Sequence, residues 1–547
     1  MDYKRIADSI GSAIERRPTD IAAYTDLFSL LRSWEEVDFK EAHGRNKLLL
    51  NACAEKLREV SGKELEQFYG QWRKCLLFEA PHDLDSFLQY MELDRDAKKR
   101  FYQPRRRVLK RVVDDLQALC VDDTLDLLAI SLPPGSGKTT LALFLLSFLA
   151  GRDPNNPILT GSHSNAFIRG CYDEVLRLVD PQGEYLWKDV FPGIKVSSTN
   201  AKDCRIDFDK RQRFETLEFT SIGTGNAGLY RAATLLYCDD LVSGIEVALS
   251  KDRLDKLWEV YTTDLRQRKI GDHCKELHIA TRWSVHDVIG RLEREYENDP
   301  RAKFIRIPAM DENDESNFDY AYGVGFSTDF FRKQRAIMDD ISWKALYENS
   351  PVERFGLLYE REELRRYFEL PDEEPDAIIA VCDTKDRGTD YCAMPIAYQY
   401  GDNYYIEDFV CDNSSPEIVE TKLVNKLLKH KVQAARFESN SAGGRVAADV
   451  QKRVKEKGGR TKITTKYSTQ NKETRIIIAA GFAKEHFLFK DESAYKDDKE
   501  YRLAMNMLCS YTMMGKNKTD DLVDSIAMLV DFTESFRQQV TVFQRPF

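Results

Sequence analysis

Hydrophobic positions in the first ninety residues recur at helical spacing. Ile6, Ile10 and Ile14 follow one another at four-residue intervals, which places them on one face of a helix. Strand-like alternation of apolar and polar residues is scarce in this part of the chain. The pattern predicts a helical N-terminal region over residues 1–90, and no motif with evident chemistry lies in it.

From residue 91 to residue 340, short apolar runs alternate with helical patterns. Continuous apolar runs of this length are typical of parallel strands that are covered on both faces. Four such runs are Leu125–Leu132, Pro157–Ser162, Ala233–Asp239 and Leu277–Thr281. Alternation of buried strands with helices predicts an α/β domain with a mostly parallel sheet and helices on both faces.

A different order of elements begins after residues 341–375, which we interpret as a linker because its end carries two prolines among acids. Residues 376–547 open with three consecutive strands, at Ala377–Asp383, Tyr391–Gln399 and Tyr404–Val410. A helix, a strand, a helix, a strand and further helices follow. This order is the one expected of a ribonuclease H-like α/β domain.

Composition and charge narrow the class of protein. Of the 547 residues, 42% are hydrophobic and 31% are charged, and the formal net charge is −10, which argues against a generic basic coat protein for nucleic acid. Basic patches at 95–111 and 452–475 are equally consistent with DNA contact and with solvated helix faces. The N-terminus lacks a secretory apolar segment, no membrane span is expected, and the eleven cysteines, without a CxxC pair, indicate reduced thiols in the cytosol.

The strongest local motif is Ser131–Thr140, SLPPGSGKTT, which lies between a buried strand and an apolar helix. This context is the one that a phosphate-binding loop requires, although Leu132 stands where the usual pattern has a glycine. Lys138 is expected to reach the β- and γ-phosphates of ATP, and the Thr139 hydroxyl to bind Mg²⁺. The residues expected to bind the nucleotide here are Pro134, Gly135, Ser136, Gly137, Lys138, Thr139 and Thr140.

A second part of the same site is expected where the apolar run Leu235–Asp240 ends in two acids. Asp239 is expected to hold Mg²⁺, and Asp240 is the candidate base that orients the attacking water. Aspartate is one methylene shorter than the glutamate common at this place, so Glu246 is the alternative base. The alternative is that the two acids simply end a strand and have no catalytic role. Their spacing from the phosphate loop favours a role in the nucleotide site.

A third part follows another apparent strand, where Thr281 is positioned to sense the γ-phosphate and Arg282 to carry the change to neighbouring elements. The glycine-rich loop Gly223–Arg231 offers Arg231 as a charge-stabilising residue, or is an ordinary flexible loop. Upstream, Tyr102–Arg105 is a candidate for framing the adenine.

Separated carboxylates mark a second site in residues 376–547. Asp383 ends the first strand and Glu438 ends a later one, with Asp390 and Lys472 nearby in sequence. Three more acids lie where a late helix begins: Asp520, Asp521 and Asp524. Each alone is typical of a solvated strand end or of helix capping. Together, their order predicts a site for two Mg²⁺ or Mn²⁺ ions that cleaves phosphodiesters, with Asp383, Glu438, Asp521 and Asp524 as metal ligands and catalytic residues.

These motifs resemble those of the large terminase subunits of tailed bacteriophages. PPGSGKTT, GTGNAGLYRAATLLYCDDLV and IATRWSVHDVIGRL are similar to the ATPase motifs of that family, and DTKDRGTDY, RFESN, NKETRI and DDLVDSIAM to its nuclease motifs. The resemblance covers roughly residues 95–535. It departs from the family at Pro134, where many members have an arginine, and at Asp239-Asp240, where many have Asp-Glu.

The resemblance implies a protein that drives double-stranded DNA into procapsids by ATP hydrolysis and cuts concatemeric DNA. It implies a homo-oligomeric ring on the portal protein, a small terminase subunit as partner, and action in the host cytoplasm rather than in the mature virion. A helicase–nuclease of DNA repair is the alternative enzyme, but it should show a second ATPase-type domain. A virion structural protein with a degenerate nucleotide fold is the alternative from another class.

Overall fold

The computed structural model describes residues 2–210, 213–223, 230–338, 340–352, 356–384, 391–439, 443–467, 472–513, 517 and 520–537. The chain divides into two compact units. The first comprises Met1–Gly244 and Asp252–Val352, and the second comprises Ile245–Lys251 and Glu353–Phe547. No helix in the described part of the chain combines the length and the apolar character needed to cross a membrane.

Helices alone form the beginning of the first unit. Aspartates cap several of them, since the side chains of Asp2, Asp20 and Asp38 each accept a hydrogen bond from a backbone N–H group of the first turn. Their apolar faces pack into a core around Tyr24, Leu31 and neighbouring residues. The helices are α1 (Tyr3–Arg16), α2 (Ile21–Trp34), α3 (Phe39–Lys56), α4 (Gly62–Glu79), α5 (Leu84–Met91) and α6 (Tyr102–Cys120).

An eight-stranded sheet forms the centre of the first unit. Its strands are β1 (Leu127–Ser131), β2 (Ile158–Ser162), β3 (Val196–Asn200), β4 (Arg205–Phe208), β5 (Leu217–Ser221), β6 (Leu235–Asp239), β7 (Lys275–Ala280) and β8 (Ala302–Arg306), in the order β3-β4-β5-β2-β6-β7-β1-β8. In this spatial order, every pair of neighbouring strands from β5 across to β8 is parallel. The β3–β4 and β4–β5 pairs at the other edge are antiparallel. The four predicted strands are therefore confirmed.

Further helices follow along the chain between these strands and after them. They are α7 (Lys138–Arg152), α8 (Asn165–Val179), α9 (Trp187–Val190), α10 (Ile245–Ala248), α11 (Lys251–Val260), α12 (Val288–Glu295), α13 (Thr328–Ile337) and α14 (Asp340–Leu346). The apolar run after the phosphate loop forms α7, which is buried along nearly its whole length. Its side chains join the core beneath the sheet.

The second unit is built on a seven-stranded sheet. Its strands are β9 (Arg366–Tyr367), β10 (Ala377–Cys382), β11 (Cys392–Tyr400), β12 (Asn403–Asp412), β13 (Ala434–Glu438), β14 (Lys462–Lys466) and β15 (Phe487–Lys490). The order is β14-β13-β10-β11-β12-β15-β9, with β10, β11 and β12 antiparallel and the other pairs parallel. The edge strand β9 comes from the segment expected to be a linker.

Helices cover this second sheet: α15 (Pro416–Lys429), α16 (Gly443–Glu456), α17 (Lys472–His486), α18 (Lys499–Leu508) and α19 (Asp521–Arg537). Two separate apolar cores lie in this unit. The predicted order of three consecutive strands followed by alternating helices and strands is confirmed. The mixed α/β class, with sheets rich in parallel strands and a helical N-terminal region, is confirmed as well.

Candidate functional site

The phosphate-loop motif lies between β1, which ends at Ser131, and α7, which begins at Lys138. Gly135 and Gly137 have φ angles of +74° and +91°, a backbone conformation that glycine adopts without strain. Space is also limited there. A Cβ atom on Gly137 would lie 2.5 Å from the Phe101 ring, and one on Gly135 would lie 2.8 Å from the Phe326 ring. Only glycine therefore fits at both positions.

Two residues from separate parts of the sequence contact the loop lysine, Lys138. The strands β6, β7 and β1 are adjacent and parallel, so their carboxyl ends lie side by side. Lys138 Nζ donates a hydrogen bond of 2.7 Å to Thr281 Oγ1 and lies 3.5 Å from Asp240 Oδ2. The structure thus brings together Lys138, Thr281 and Asp240, which the motifs had placed in one site.

Asp239 is fully buried at the end of β6. The Tyr237 hydroxyl donates to its Oδ2 atom, whereas Oδ1 accepts no hydrogen bond within the described part of the chain. Burial raises the pKa of Asp239 to about 7, the charge of Asp240 adds to the rise, and the nearby hydroxyls of Tyr237 and Thr139 oppose it. A buried carboxylate oxygen without a donor, close to the Thr139 hydroxyl, fits the donor set that Mg²⁺ prefers.

Asp240 has a strained backbone, with a φ angle of +39°, which is uncommon for a residue other than glycine. Its Oδ1 atom accepts a 2.8 Å hydrogen bond from the backbone N–H of Thr281. Its carboxylate is therefore held between the ends of β6 and β7. The side chain of Glu246, the alternative base, lies outside the described part of the structure, and so do residues 224–229 of the glycine-rich loop. Arg231, at the end of that loop, donates its backbone N–H to the Glu218 carboxylate.

Arg282 follows Thr281 but belongs to a different contact network. Its Nε atom donates a 3.0 Å hydrogen bond to Asp287 Oδ2, and its Nη1 atom lies 3.5 Å from Glu293 Oε2. Asp287 also caps α12 through the backbone N–H of Gly290. Arg282 therefore connects the end of β7 to α12.

The Tyr102–Arg105 segment was expected to frame the adenine, and two of its residues have contacts of a different kind. Tyr102 is buried, and its hydroxyl donates to Asp85, so it has a packing role. Arg105 reaches the phosphate loop, because its Nε atom lies 3.7 Å from the place of a Cβ on Gly137. Its Nη1 atom donates to the Phe101 carbonyl at 2.8 Å. Sequence reasoning missed this guanidinium as a candidate phosphate contact.

In the second unit, strand register brings two of the predicted acids together. β10 and β13 are parallel, with Cys382 opposite Phe437, so the residues that follow, Asp383 and Glu438, end side by side. Asp524, in the first turn of α19, completes the group. One carboxylate oxygen from each of these three residues lies within 4.8 Å of the others.

Two cations of α17 lie among these carboxylates. Arg475 Nη2 is 2.6 Å from Asp524 Oδ2 and 3.5 Å from Glu438 Oε1. Lys472 Nζ is within 4.0 Å of four aspartates: Asp383, Asp520, Asp521 and Asp524. Burial raises the pKa of Asp383 well above its ordinary value, against the opposing charge of Lys472. Burial also raises the pKa of Asp524, against its hydrogen bond with Arg475. Burial therefore disfavours the charged forms of Asp383 and Asp524, and nearby cations stabilise those forms.

The three helix acids occupy different environments. Asp524 is fully buried and belongs to the cluster with Asp383 and Glu438. Asp521 Oδ2 accepts a 2.9 Å hydrogen bond from the backbone N–H of Tyr391, so it ties α19 to β11. The Asp520 side chain is 43% exposed. The structure thus distinguishes the surroundings of these three acids, which their spacing in the sequence did not. Asp390 lies outside the described residues.

The basic patches are largely engaged within the protein. In the first, Arg95 pairs with Glu92, Arg106 pairs with Asp85, and Arg100 donates to two backbone carbonyls. In the second, the side chains of Lys472 and Arg475 face the carboxylate cluster, and Lys466 pairs with Asp531.

Residues 382–481 match the family described as Terminase Bacteriophage T7, Ribonuclease H-like domain. This segment is similar to the ribonuclease H-like domain of terminases. The matched segment contains Asp383 and Glu438 at its strand ends and the two cations of α17. The resemblance to terminases that the motifs predicted is confirmed, and so is the ribonuclease H-like class of the second unit.

Solved terminase structures are similar to this chain at low identity. The large terminase from a thermophilic bacteriophage, in complex with ADP, is 12% identical, with a TM-score of 0.41, over 79% of this chain and 99% of that one. The HK97 bacteriophage large terminase is 11% identical, with a TM-score of 0.35, over 82% and 99%. The Mn-soaked terminase nuclease domain of human cytomegalovirus is 14% identical, with a TM-score of 0.26, over 33% and 98%. No curated protein matches the chain.

Proposed function

We propose that this chain is the large subunit of a phage terminase, which hydrolyses ATP to drive double-stranded DNA into procapsids and cuts concatemeric DNA. The observation that carries the proposal is the carboxylate cluster of Asp383, Glu438 and Asp524, of which the first two lie in the segment that matches the terminase ribonuclease H-like family. The phosphate loop after β1 and the two acids at the end of β6, both in the first unit, would supply the second activity.

The nuclease site suits divalent cations, because its donors are carboxylate oxygens, the ligands that Mg²⁺ and Mn²⁺ prefer. We assign Asp383, Glu438 and Asp524 as ligands, with Asp521 as a further ligand beside them. Two bound ions would supply positive charge on both sides of the scissile phosphate. Without ions, Lys472 and Arg475 balance the carboxylates.

For the ATPase site, we assign Lys138 to the β- and γ-phosphates, with the backbone N–H groups of residues 134–140 around them. Thr139 and Asp239 hold Mg²⁺. Asp240 orients the attacking water, since its carboxylate is fixed 3.5 Å from Lys138 Nζ. Thr281 contacts Lys138 directly and is the candidate sensor of the γ-phosphate, with Arg282 linking it to α12.

The partners follow from the proposed activity. DNA is the substrate, a small terminase subunit delivers it, and a homo-oligomeric ring of this chain acts on the portal protein of the procapsid. The protein works in the host cytoplasm and leaves before the virion matures. A helicase–nuclease would separate DNA strands, whereas a packaging motor moves duplex DNA intact.

ATP-dependent uptake of DNA into empty procapsids tests this proposal. Purified protein should render duplex DNA resistant to added DNase in the presence of procapsids and ATP. Lys138→Ala should abolish the protection, and Asp383→Ala should retain it on linear DNA that is already cut. Strand separation without any DNase-resistant DNA would support the helicase–nuclease reading and overturn ours.

A further inference from the structure

Three polar side chains converge in the helical N-terminal region, far along the sequence from either site above. Glu35 follows the last turn of α2, His43 lies early in α3, and His82 lies in the turn between α4 and α5. One ligand atom from each residue lies within 4.8 Å of the others. We propose that Glu35, His43 and His82 bind a zinc ion that fastens these helices together.

The ligand atoms are spaced closely enough to share one metal ion, and the shorter of the two distances to Glu35 Oε1 is also that of a hydrogen bond. His43 Nε2 is 3.2 Å from Glu35 Oε1, and His82 Nε2 is 3.9 Å from the same oxygen. The second distance is too long for a hydrogen bond. Tetrahedral zinc, with bonds of about 2.0–2.1 Å, holds its ligand atoms about 3.3 Å apart. Small movements of Glu35 and His82, whose side chains are 33% and 39% exposed, would close the remaining gap.

A buried carboxylate orients the central histidine. His43 Nδ1 lies 3.0 Å from Glu79 Oε1, and Glu79 is itself held by a 2.8 Å hydrogen bond from Asn46 Nδ2. Metal-binding histidines commonly donate their second ring N–H to a carboxylate in this manner, which fixes the tautomer and turns the other nitrogen toward the ion. The Glu79–His43 contact therefore points the lone pair of Nε2 at Glu35 and His82.

Aromatic rings form the walls of the site. Phe78 stacks on His43 with ring centroids 4.5 Å apart, and Phe39 lies 4.1 Å from His43 and 4.9 Å from His82. Apolar walls restrict water and strengthen metal–ligand bonds. Two imidazoles and one carboxylate favour zinc over Mg²⁺ or Ca²⁺, which prefer oxygen ligands. Water fills the fourth position on the open side.

The position of the site indicates a structural role. The turn that carries His82 is bonded to the helix that follows the phosphate loop, because Arg152 Nη1, at the end of α7, donates to the carbonyls of Pro81 and His82 at 3.2 and 3.3 Å. A zinc ion at His82 would therefore stabilise the helical region and its attachment to α7. This inference does not depend on the proposed terminase function.

Metal binding to the full chain tests the proposal. After treatment with EDTA and dialysis into excess Mg²⁺, which occupies the carboxylate sites, the wild type should bind one equivalent of Zn²⁺ or Co²⁺ tightly. Bound Co²⁺ should show the absorption of a tetrahedral site, and Zn²⁺ should raise the Tm. His82→Gln and Glu35→Gln should each lose that equivalent and the Tm shift, while their circular dichroism in EDTA stays that of the wild type.

The matched control is His486→Gln, which changes another histidine that lies 3.9 Å from a carboxylate, that of Glu485. It should bind metal as the wild type does. Equal Zn²⁺ binding by the wild type and by both site variants would overturn the proposal. So would a wild type that binds no Zn²⁺ in excess Mg²⁺, since His43 would then be only a hydrogen-bonded histidine. If one variant fails to fold, the other still decides.

Discussion

The buried carboxylate of Asp239 should destabilise the metal-free protein at neutral pH, and Asp239→Asn should reveal this. The folded state raises the pKa from 3.8 to about 7, so it binds the proton more tightly than the unfolded chain does. The stability from this shift is present in full below pH 3.8 and is lost as the pH rises to about 7. At 1.36 kcal/mol per unit, the loss at pH 8 is about 4 kcal/mol.

Asparagine at this position carries no charge at any of these pH values. Its oxygen can accept the hydrogen bond from Tyr237, but its NH₂ group would replace the carboxylate oxygen that lacks a partner, at a cost of about 1–3 kcal/mol. That cost does not depend on pH. At pH 5 the wild type has lost less than half of the stability from the pKa shift, so Asp239→Asn should gain roughly 2–3 kcal/mol relative to the wild type between pH 5 and pH 8.

Urea unfolding in EDTA, followed by tryptophan fluorescence, measures this difference. All six tryptophans lie in the first unit, so the signal reports on the unit that contains Asp239: Trp34, Trp72, Trp187, Trp258, Trp283 and Trp343. Asp272→Asn, at an exposed position of the same unit, is the control and should show no such trend. A stability difference between Asp239→Asn and the wild type that is equal at pH 5 and pH 8 would refute the reasoning.

Asp524→Ala should reduce the rate of metal-dependent DNA cleavage at least about 100-fold, because it removes a buried metal ligand. Asp520→Ala, at a more exposed side chain, should reduce that rate less than about tenfold. Equal losses of the two variants in a nuclease assay would contradict this ranking. Arg105→Ala should raise the KM for ATP about tenfold or more by removing a cation beside the phosphate loop, and an unchanged KM would exclude that contact. Asp240→Asn should bind ATP but not hydrolyse it; normal hydrolysis, together with its loss in Glu246→Gln, would make Glu246 the base.

Local patterns were sufficient to predict the elements that hold both sites. The strand ending at Ser131 and the helix beginning at Lys138 follow from an apolar run, two glycines and a second apolar run. The convergence of Asp383 and Glu438 was predictable because both acids end strands, and the parallel register of β10 and β13 then places them side by side.

Other features depend on contacts that no sequence pattern encodes. Asp520, Asp521 and Asp524 all lie close together in the sequence, so only the packing of α19 shows that Asp524 is buried with the strand acids. Arg475 enters the cluster from a different helix. The proposed zinc site was not predictable because its ligands come from three separate helical segments, with no spacing typical of a metal motif.

The central claim is that one chain carries two separate active sites, a nucleotide site and a metal-dependent nuclease site. Parallel assays of ATP hydrolysis and of Mg²⁺- or Mn²⁺-dependent cleavage of double-stranded DNA test it on the wild type, Lys138→Ala and Asp383→Ala. We expect Lys138→Ala to lose ATP hydrolysis and still cut free DNA, and Asp383→Ala to lose cutting and still hydrolyse ATP. Near-normal ATP hydrolysis by Lys138→Ala, or metal-dependent cleavage by Asp383→Ala, would contradict the claim.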